Sequence, residues 1–299
     1  MYYYIVNPAA GRGQLKNVQD KLRARLIELG IGGEWARTTS PGEAAKMAQA
    51  AAAKGHTTIV AVGGDDTVNE VINGLGTAEN VAVGIIPLGS TNRLSSQLGI
   101  TSWQQACVLL AARRLTPYSL IAAGQKFFLS TLTLGFETEL DKQVDTSPTN
   151  LRGRASQLKT AFTQARSYES LHAKIMVDDD ISIEADIFSL SIANQKFLNP
   201  LADNRLIVTM SDHPGRSLRT AGHVWQLLRD RGRAGEDTAT TRFLARRVVI
   251  ETTPASSIMV DGKVASRTPI AIRLTDRRIR FITEKVGSEF REAVGPRVN

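Results

Sequence analysis

Gly63-Gly64-Asp65-Asp66-Thr67 is the stretch of this chain best suited to chemistry. It follows a short β-branched apolar run at 59–62 and leads into Val68-Asn69-Glu70-Val71-Ile72-Asn73-Gly74. That pattern predicts a buried strand, a two-glycine turn and a helix start. Glycines at such a turn let the backbone come close to a ligand. The following helix directs its N–H groups and positive dipole end at the same turn, which suits a phosphate. Asp65 and Asp66 stand at that end, where carboxylates can hold Mg²⁺ or orient an attacking hydroxyl. A purely structural reading also fits the residues: a tight turn followed by a helix cap.

Two other loops share this build. Asn7-Pro8-Ala9-Ala10-Gly11-Arg12-Gly13 follows a strand predicted over 2–6. It opens a helix with apolar residues at Leu15, Val18, Leu22, Leu26 and Leu29, ended by Gly30. Leu88-Gly89-Ser90-Thr91-Asn92-Arg93-Leu94 follows a strand predicted over 81–87. Such turns, side by side at the carboxyl ends of parallel strands, form the crevice in which open α/β sheets bind ligands. Between the first two lies a strand expected over 34–39. Ser40-Pro41-Gly42-Glu43 then reads as a helix start, with a serine cap, proline at the first helical position and glutamate three after the cap. Ser102 caps a further helix.

The pattern changes near residue 120. Strand-like runs are expected at 127–134, 173–177, 187–193, 206–210, 246–252, 257–260, 270–274 and 278–282, with a helix over 151–168 and a polar loop around Asp145 and Asn150. Alternation and turn spacing point to antiparallel β structure. The expected layout is therefore an α/β domain over 1–120 with a parallel, Rossmann-like sheet, and a β-sandwich over 121–299.

The 299-residue length is enough for two domains with real cores. A single cysteine, Cys107, excludes an internal disulfide framework. No apolar run approaches the ~18 residues of a membrane span, and the N-terminus lacks a signal peptide's basic start, so a cytoplasmic location is expected. The net charge of +8 favours an anionic partner. Arg216, Arg219, Arg229, Arg231, Arg233, Arg242, Arg246 and Arg247 concentrate that charge, and fit either a peripheral contact with an anionic membrane or a solvated face. No zinc-finger or RNA-binding signature accompanies it, so nucleic acid is not expected as a partner. The four histidines have no readable partner spacing.

The 63–74 stretch resembles the G-G-D-G-T-x-N-E-V-x-N-G signature of the diacylglycerol kinase and sphingosine kinase-like lipid kinase family. NAD kinases share only its first half. The 87–94 turn resembles the family's P-L-G-T-x-N-D-[F/L]-A-R, and the 7–13 loop its N-P-x-x-G-x-G. The resemblance implies an NAD kinase/diacylglycerol kinase-like fold with an active site in the cleft between domains, and transfer of the γ-phosphoryl group of ATP, with Mg²⁺, to a lipid alcohol. By the same resemblance Asn7, Gly11, Gly13, Thr38, Gly63, Gly64, Asp66, Thr67, Gly89, Ser90 and Asn92 line the nucleotide site. Asp65 is the expected catalytic carboxylate, as base or through Mg²⁺, while Asn69 and Glu70 brace the motif. Asn199 to Leu206 resembles a shortened P-x-A-x-x-D-G-x-L, making Asp203 a candidate metal ligand or a turn residue. Val260-Asp261-Gly262-Lys263 resembles V-D-G-E, whose glutamate is a candidate general base. Three positions depart from the family pattern: Asp66 replaces glycine, Arg93 an aspartate and Lys263 that glutamate. Asp66 is expected to pair with Arg93 or Lys263.

Overall fold

The computed structural model describes residues 1–76, 78, 80–143, 160–199, 202–213, 240–260 and 263–284, and divides into two units. The first comprises Met1–Leu120 and the described residues from Thr275 onward; the second is Ile121–Leu274.

In the first unit strands and helices alternate. β1 (Tyr2–Val6), α1 (Leu15–Glu28), β2 (Gly33–Arg37), α2 (Glu43–Ala53), β3 (Thr58–Gly63), α3 (Asp65–Gly74), β4 (Ala82–Pro87), α4 (Arg93–Gln97) and α5 (Trp103–Ala112) follow in order. The strands line up as β2-β1-β3-β4 with every pair parallel. β3 and β4 are buried along their whole length, as near-continuous apolar runs in a covered parallel sheet require. A later strand adds to this sheet, because Arg280 and Phe281 pair in parallel with Ala82 and Val83. That strand is β16 (Ile270–Ile282), one continuous element where two separate strands were expected. Its last residues therefore group with the first unit, whereas the sequence had assigned all of 121–299 to the second.

Local chemistry explains two of the helix starts. Ser102 Oγ accepts from Gln105 N at 3.2 Å, the expected cap of α5. α2 starts later than its sequence suggests: Gly42, left-handed at φ 85°, is its cap residue, and neither Ser40 nor Pro41 lies in the helix. The reciprocal half of the expected capping box survives. Glu43 accepts from Thr39 N at 2.5 Å and Ser40 N at 3.2 Å, and the Thr39 bond above all holds its carboxyl below the usual range.

The second unit is a two-layer β-sandwich. β5 (Leu115–Ala123) crosses the unit boundary and pairs with β6 (Lys126–Phe128). Next come β7 (Thr131–Gly135), α6 (Phe136–Gln143), a helix α7 over 160–167, β8 (Leu171–Val177), β9 (Ile181–Ile187), β10 (Ser189–Asn194) and α8 (Gln195–Leu198). β11 (Leu206–Ser211), β12 (Thr240–Ala245), β13 (Arg247–Thr253), β14 (Ser257–Val260) and β15 (Lys263–Arg267) complete it. One layer runs β12-β11-β10-β7-β14-β15; the other contains β9, β8, β13 and the start of β16. All described pairings within the unit are antiparallel. Leu132, Leu134, Ile192 and Val208 of the first layer share one buried cluster with Ile175, Val248, Ile250 and Ile272 of the second.

β5, β9, β12, β15 and α6 had no counterpart in the sequence reading, and the run at 127–134 splits into β6 and β7. Residues 144–159 and 214–239 lie outside the described residues, and with them the loop around Asp145, the first half of the helix expected over 151–168, and Arg216, Arg219, Arg229, Arg231 and Arg233.

Gly74 fixes how α3 meets α2. A methyl group there would lie 2.0 Å from the Ala45 carbonyl oxygen and 2.5 Å from Ala45 Cα. Both contacts are with main chain, which cannot move aside without displacing a helix. Gly74→Ala is expected to cost about 1–3 kcal/mol or more, read as a lowered midpoint in chemical denaturation.

Candidate functional site

The three glycine loops form one construction at the carboxyl ends of β1, β3 and β4. Each is tied to the next by backbone or short polar side chains. Asn7, just after β1, donates its main-chain N–H to Val62 O at 2.9 Å and its Nδ2 to Thr67 Oγ1 at 3.2 Å. Leu88 N donates to Gly63 O at 2.9 Å. A methyl on Gly63 would lie 2.4 Å from Thr67 Oγ1, one on Gly89 would lie 2.4 Å from Gly64 Cα, and one on Gly11 would lie 2.2 Å from Leu88 O. The glycines are thus demanded by packing of loop on loop. That packing brings main chain from three loops together, the arrangement an anionic ligand can exploit through N–H groups.

Asp65 joins the two central turns. It is the first residue of α3 and only 6% exposed. Its Oδ2 accepts from Arg93 N at 2.8 Å and Thr91 Oγ1 at 3.1 Å, and its Oδ1 from Leu94 N at 2.9 Å. The carboxylate therefore caps α4 from a different segment of chain, satisfying main-chain donors that the start of a helix leaves open. Asn92, left-handed at φ 50°, closes the same turn: its Oδ1 accepts from Gly89 N at 2.8 Å and its Nδ2 donates to Gly89 O at 2.7 Å.

Glu70 does the equivalent for the β2–α2 loop. Its Oε1 accepts from Gly42 N at 2.8 Å and its Oε2 from Ala44 N at 3.1 Å. A glutamate of α3 thus caps α2, where the sequence suggested Ser40.

The remaining expected residues divide. Thr67 is buried. Thr38, also buried, turns its hydroxyl to Val6 O at 3.4 Å and its N–H to the same oxygen at 2.9 Å. Asp66 is half-buried in the first turn of α3, Ser90 is exposed, and Gly13 takes φ +84° with open space around it. Asp203 is exposed in the second unit, its main-chain oxygen accepting from Arg205 N at 2.9 Å, a turn contact. Asp261 and Gly262 lie outside the described residues, and so does the Lys263 side chain. In the late basic stretch, Arg247 pairs with Asp179, and Asp178 Oδ1 accepts from the main-chain N–H groups of Arg246 and Arg247, each at 2.7 Å. Among the described residues no group of three or more His, Cys, Asp and Glu side chains could hold a metal, and no helix is long and apolar enough to cross a membrane.

The sequence could not reveal Asp65's partners, which are mainly main-chain N–H groups 28 and 29 residues away. Nor could it reveal that Arg12 adopts a left-handed backbone, φ 58°.

The first unit is thus a parallel α/β sheet with glycine turns bound together at its carboxyl edge, followed in sequence by an antiparallel sandwich. Residues 1–123 match the family model of the diacylglycerol kinase catalytic domain. A diacylglycerol kinase of Bacillus subtilis is 37% identical over 97 residues, 32% of each chain. A diacylglycerol kinase of Staphylococcus epidermidis is 22% identical over 289 residues, 94% of this chain and 91% of that one. In fold, the chain is similar to a diacylglycerol kinase from Bacillus anthracis, with TM-score 0.70 and 22% identity over 94% of this chain and 96% of that one. It is also similar to an NAD kinase from Archaeoglobus fulgidus solved with ATP, with TM-score 0.54 and 12% identity over 98% and 96%. These likenesses support the diacylglycerol kinase-like family of lipid kinases, with the family model confined to residues 1–123.

Asp65→Ala leaves the Arg93 and Leu94 N–H groups without their acceptor in a buried place. The expected loss of stability is about 1–3 kcal/mol. Asp203→Ala, at an exposed turn, should stay within roughly 0.5 kcal/mol of the parent. Paired denaturation curves of the two variants check both values.

Proposed function

We propose that this protein transfers the γ-phosphoryl group of ATP to the hydroxyl of a diacylglycerol-like or sphingoid lipid. The observation that carries the reading is the junction of the Gly63-Gly64 and Leu88-Gly89 turns, held by the Asp65 carboxylate. Phosphoryl transfer passes through a loose transition state, so catalysis rests on positioning and charge stabilisation more than on a base. Main-chain N–H groups of the three glycine loops would hold the phosphates. Asp65 would serve by fixing the turns, because its oxygens already carry three protein hydrogen bonds. Mg²⁺ fits as a companion of the nucleotide phosphates, its usual mode of binding, and would neutralise charge on them; the described residues supply no cage for a resident ion. Lys263 belongs to the acceptor side of this proposal, while Asp66, at the nucleotide turn, would pair with Arg93. The late arginines would favour an anionic membrane surface carrying the lipid, at the inner face of the cell membrane.

A second reading is favoured by Arg93 and Lys263, which stand where the family has acidic residues: a kinase-fold protein that binds nucleotide or lipid without turnover. One assay separates the two. Purified protein is incubated with labelled ATP, Mg²⁺ and mixed micelles of diacylglycerols, sphingoid bases and other lipid alcohols, with Gly89→Ala beside it. The proposal expects a labelled lipid that Gly89→Ala reduces at least tenfold, because its methyl would enter the junction. Nucleotide binding with no labelled product from any lipid would contradict it and support the second reading.

A further inference from the structure

β2 (Gly33–Arg37) is the edge of its sheet: in the order β2-β1-β3-β4 it pairs, among the described residues, only with β1. Thr38 N, just beyond it, donates inward to Val6 O at 2.9 Å. In a parallel strand successive residues turn their N–H and C=O to opposite sides, so Gly33, Trp35 and Arg37 turn theirs outward. An edge of this kind is a template for a further strand.

The side chains beside it are equally open. Between this edge and α1 lies a cavity of about 400 Å³ lined by Arg23, Leu26, Ile27, Gly32, Gly33 and Trp35. Ile27 in its wall is 72% exposed, although it is a large apolar residue. Arg23 lies over the Trp35 ring at 4.5 Å, and Trp35 is stacked in turn on the buried Tyr4 ring at 5.3 Å. Stacking on a ring orients a guanidinium and leaves the N–H groups at its edges free to donate. Among the described residues Arg23 makes no hydrogen bond or ion pair. Arg37, on the same side, donates to the uncharged Gln19, Nη2 to Oε1 at 2.6 Å. Glu34 is turned to the other side, where its carboxylate lies 3.6 Å from His56 Nε2.

We propose that this edge binds an extended acidic segment of a partner protein. The segment adds beside β2 as a further strand, seats an apolar side chain in the cavity and sets a carboxylate on Arg23. Strand addition takes affinity from main-chain hydrogen bonds and specificity from pockets for alternate side chains. The fork of donors on a guanidinium matches a carboxylate. Charge selects the occupant. A second copy of this chain, paired about a two-fold axis at the same edge, would bring its own Arg23 and Arg37 to the same side, like charge against like. The proposal does not depend on the phosphoryl-transfer reading.

The test uses the full chain and a fluorescein-labelled octapeptide, Thr-Leu-Thr-Glu-Thr-Leu-Thr-Glu, which as a strand puts leucine and glutamate on one face and threonine on the other. Binding is read by fluorescence anisotropy, and the mass of the free protein by light scattering. The parent is expected to bind the peptide saturably as a monomer. Arg23→Gln should weaken binding about tenfold, and Ile27→Ser severalfold. Both side chains are exposed, so the melting temperatures should match the parent. Replacing both leucines of the peptide by serine should abolish binding, and so should N-methylating one of its two sets of alternate residues, the set that donates to β2. No binding by the parent overturns the proposal. Binding that none of these changes alters also overturns it, because the peptide then sits elsewhere on a basic surface. A parent that scatters as a dimer, dissolved by Ile27→Ser, overturns it too, because a second copy then occupies the edge.

Discussion

The first unit depends on one buried carboxylate. Asp65 leaves the end of β3 on one segment of chain and accepts from Arg93 N, Leu94 N and Thr91 Oγ1 on another. Parallel strands cannot be joined by a short hairpin, so the turns that follow β3 and β4 are far apart in sequence and nothing covalent keeps them in register. The carboxylate supplies that link, and in doing so satisfies the open donors at the start of α4. The glycines around it follow from the link: a methyl on Gly89 would lie 2.4 Å from Gly64 Cα and force the turns apart, while one on Gly64 would lie tightly at 3.1 Å from Gly89 Cα.

The same device appears twice more in this unit. Glu70 caps α2 from α3, and Asn7 bonds Thr67 from the end of β1. Asp65, Thr67 and Glu70 of the 63–74 motif thus each bond an element other than their own, whereas Asn73 Nδ2 donates to Asn69 O at 2.8 Å within α3. A motif that looks like a list of ligand contacts is, in large part, the frame that holds three loops at one edge of the sheet. A surface built this way is pre-organised, so little ordering remains to oppose binding of a phosphate. The second unit is held differently, by apolar residues shared between its two layers, with exposed charges such as Glu184 and Asp186 on the edge strand β9.

Legibility in the sequence followed the physics of each element. β3 and β4 could be read because strands buried on both sides are unbroken apolar runs. β9, Ile181-Ser182-Ile183-Glu184-Ala185-Asp186-Ile187, was missed despite its alternation and isoleucines, because as a half-exposed edge it carries Glu184 and Asp186 and follows the turn-like Asp178-Asp179-Asp180. Thr275-Asp276-Arg277 looked like a turn, yet it lies mid-strand in β16, where Thr275 Oγ1 donates to Leu120 O at 2.7 Å. Ser40 looked like a helix cap, but Glu70 supplies acceptors at that helix start from elsewhere in the chain. At the site, residue types announced the glycine turns. The role of Asp65 was hidden because its partners are main-chain groups, which any sequence would provide.

The central claim is that the three glycine loops form one phosphate-binding surface. Backbone amide spectra of the isotope-labelled protein, recorded while a non-hydrolysable ATP analogue is added with Mg²⁺, test it most directly. The account predicts that the amides of Gly11 to Gly13, Gly64 to Thr67 and Gly89 to Ser90 shift together with a single binding constant. Shifts confined to one loop, or lying elsewhere in the chain while these amides stay still, would contradict it.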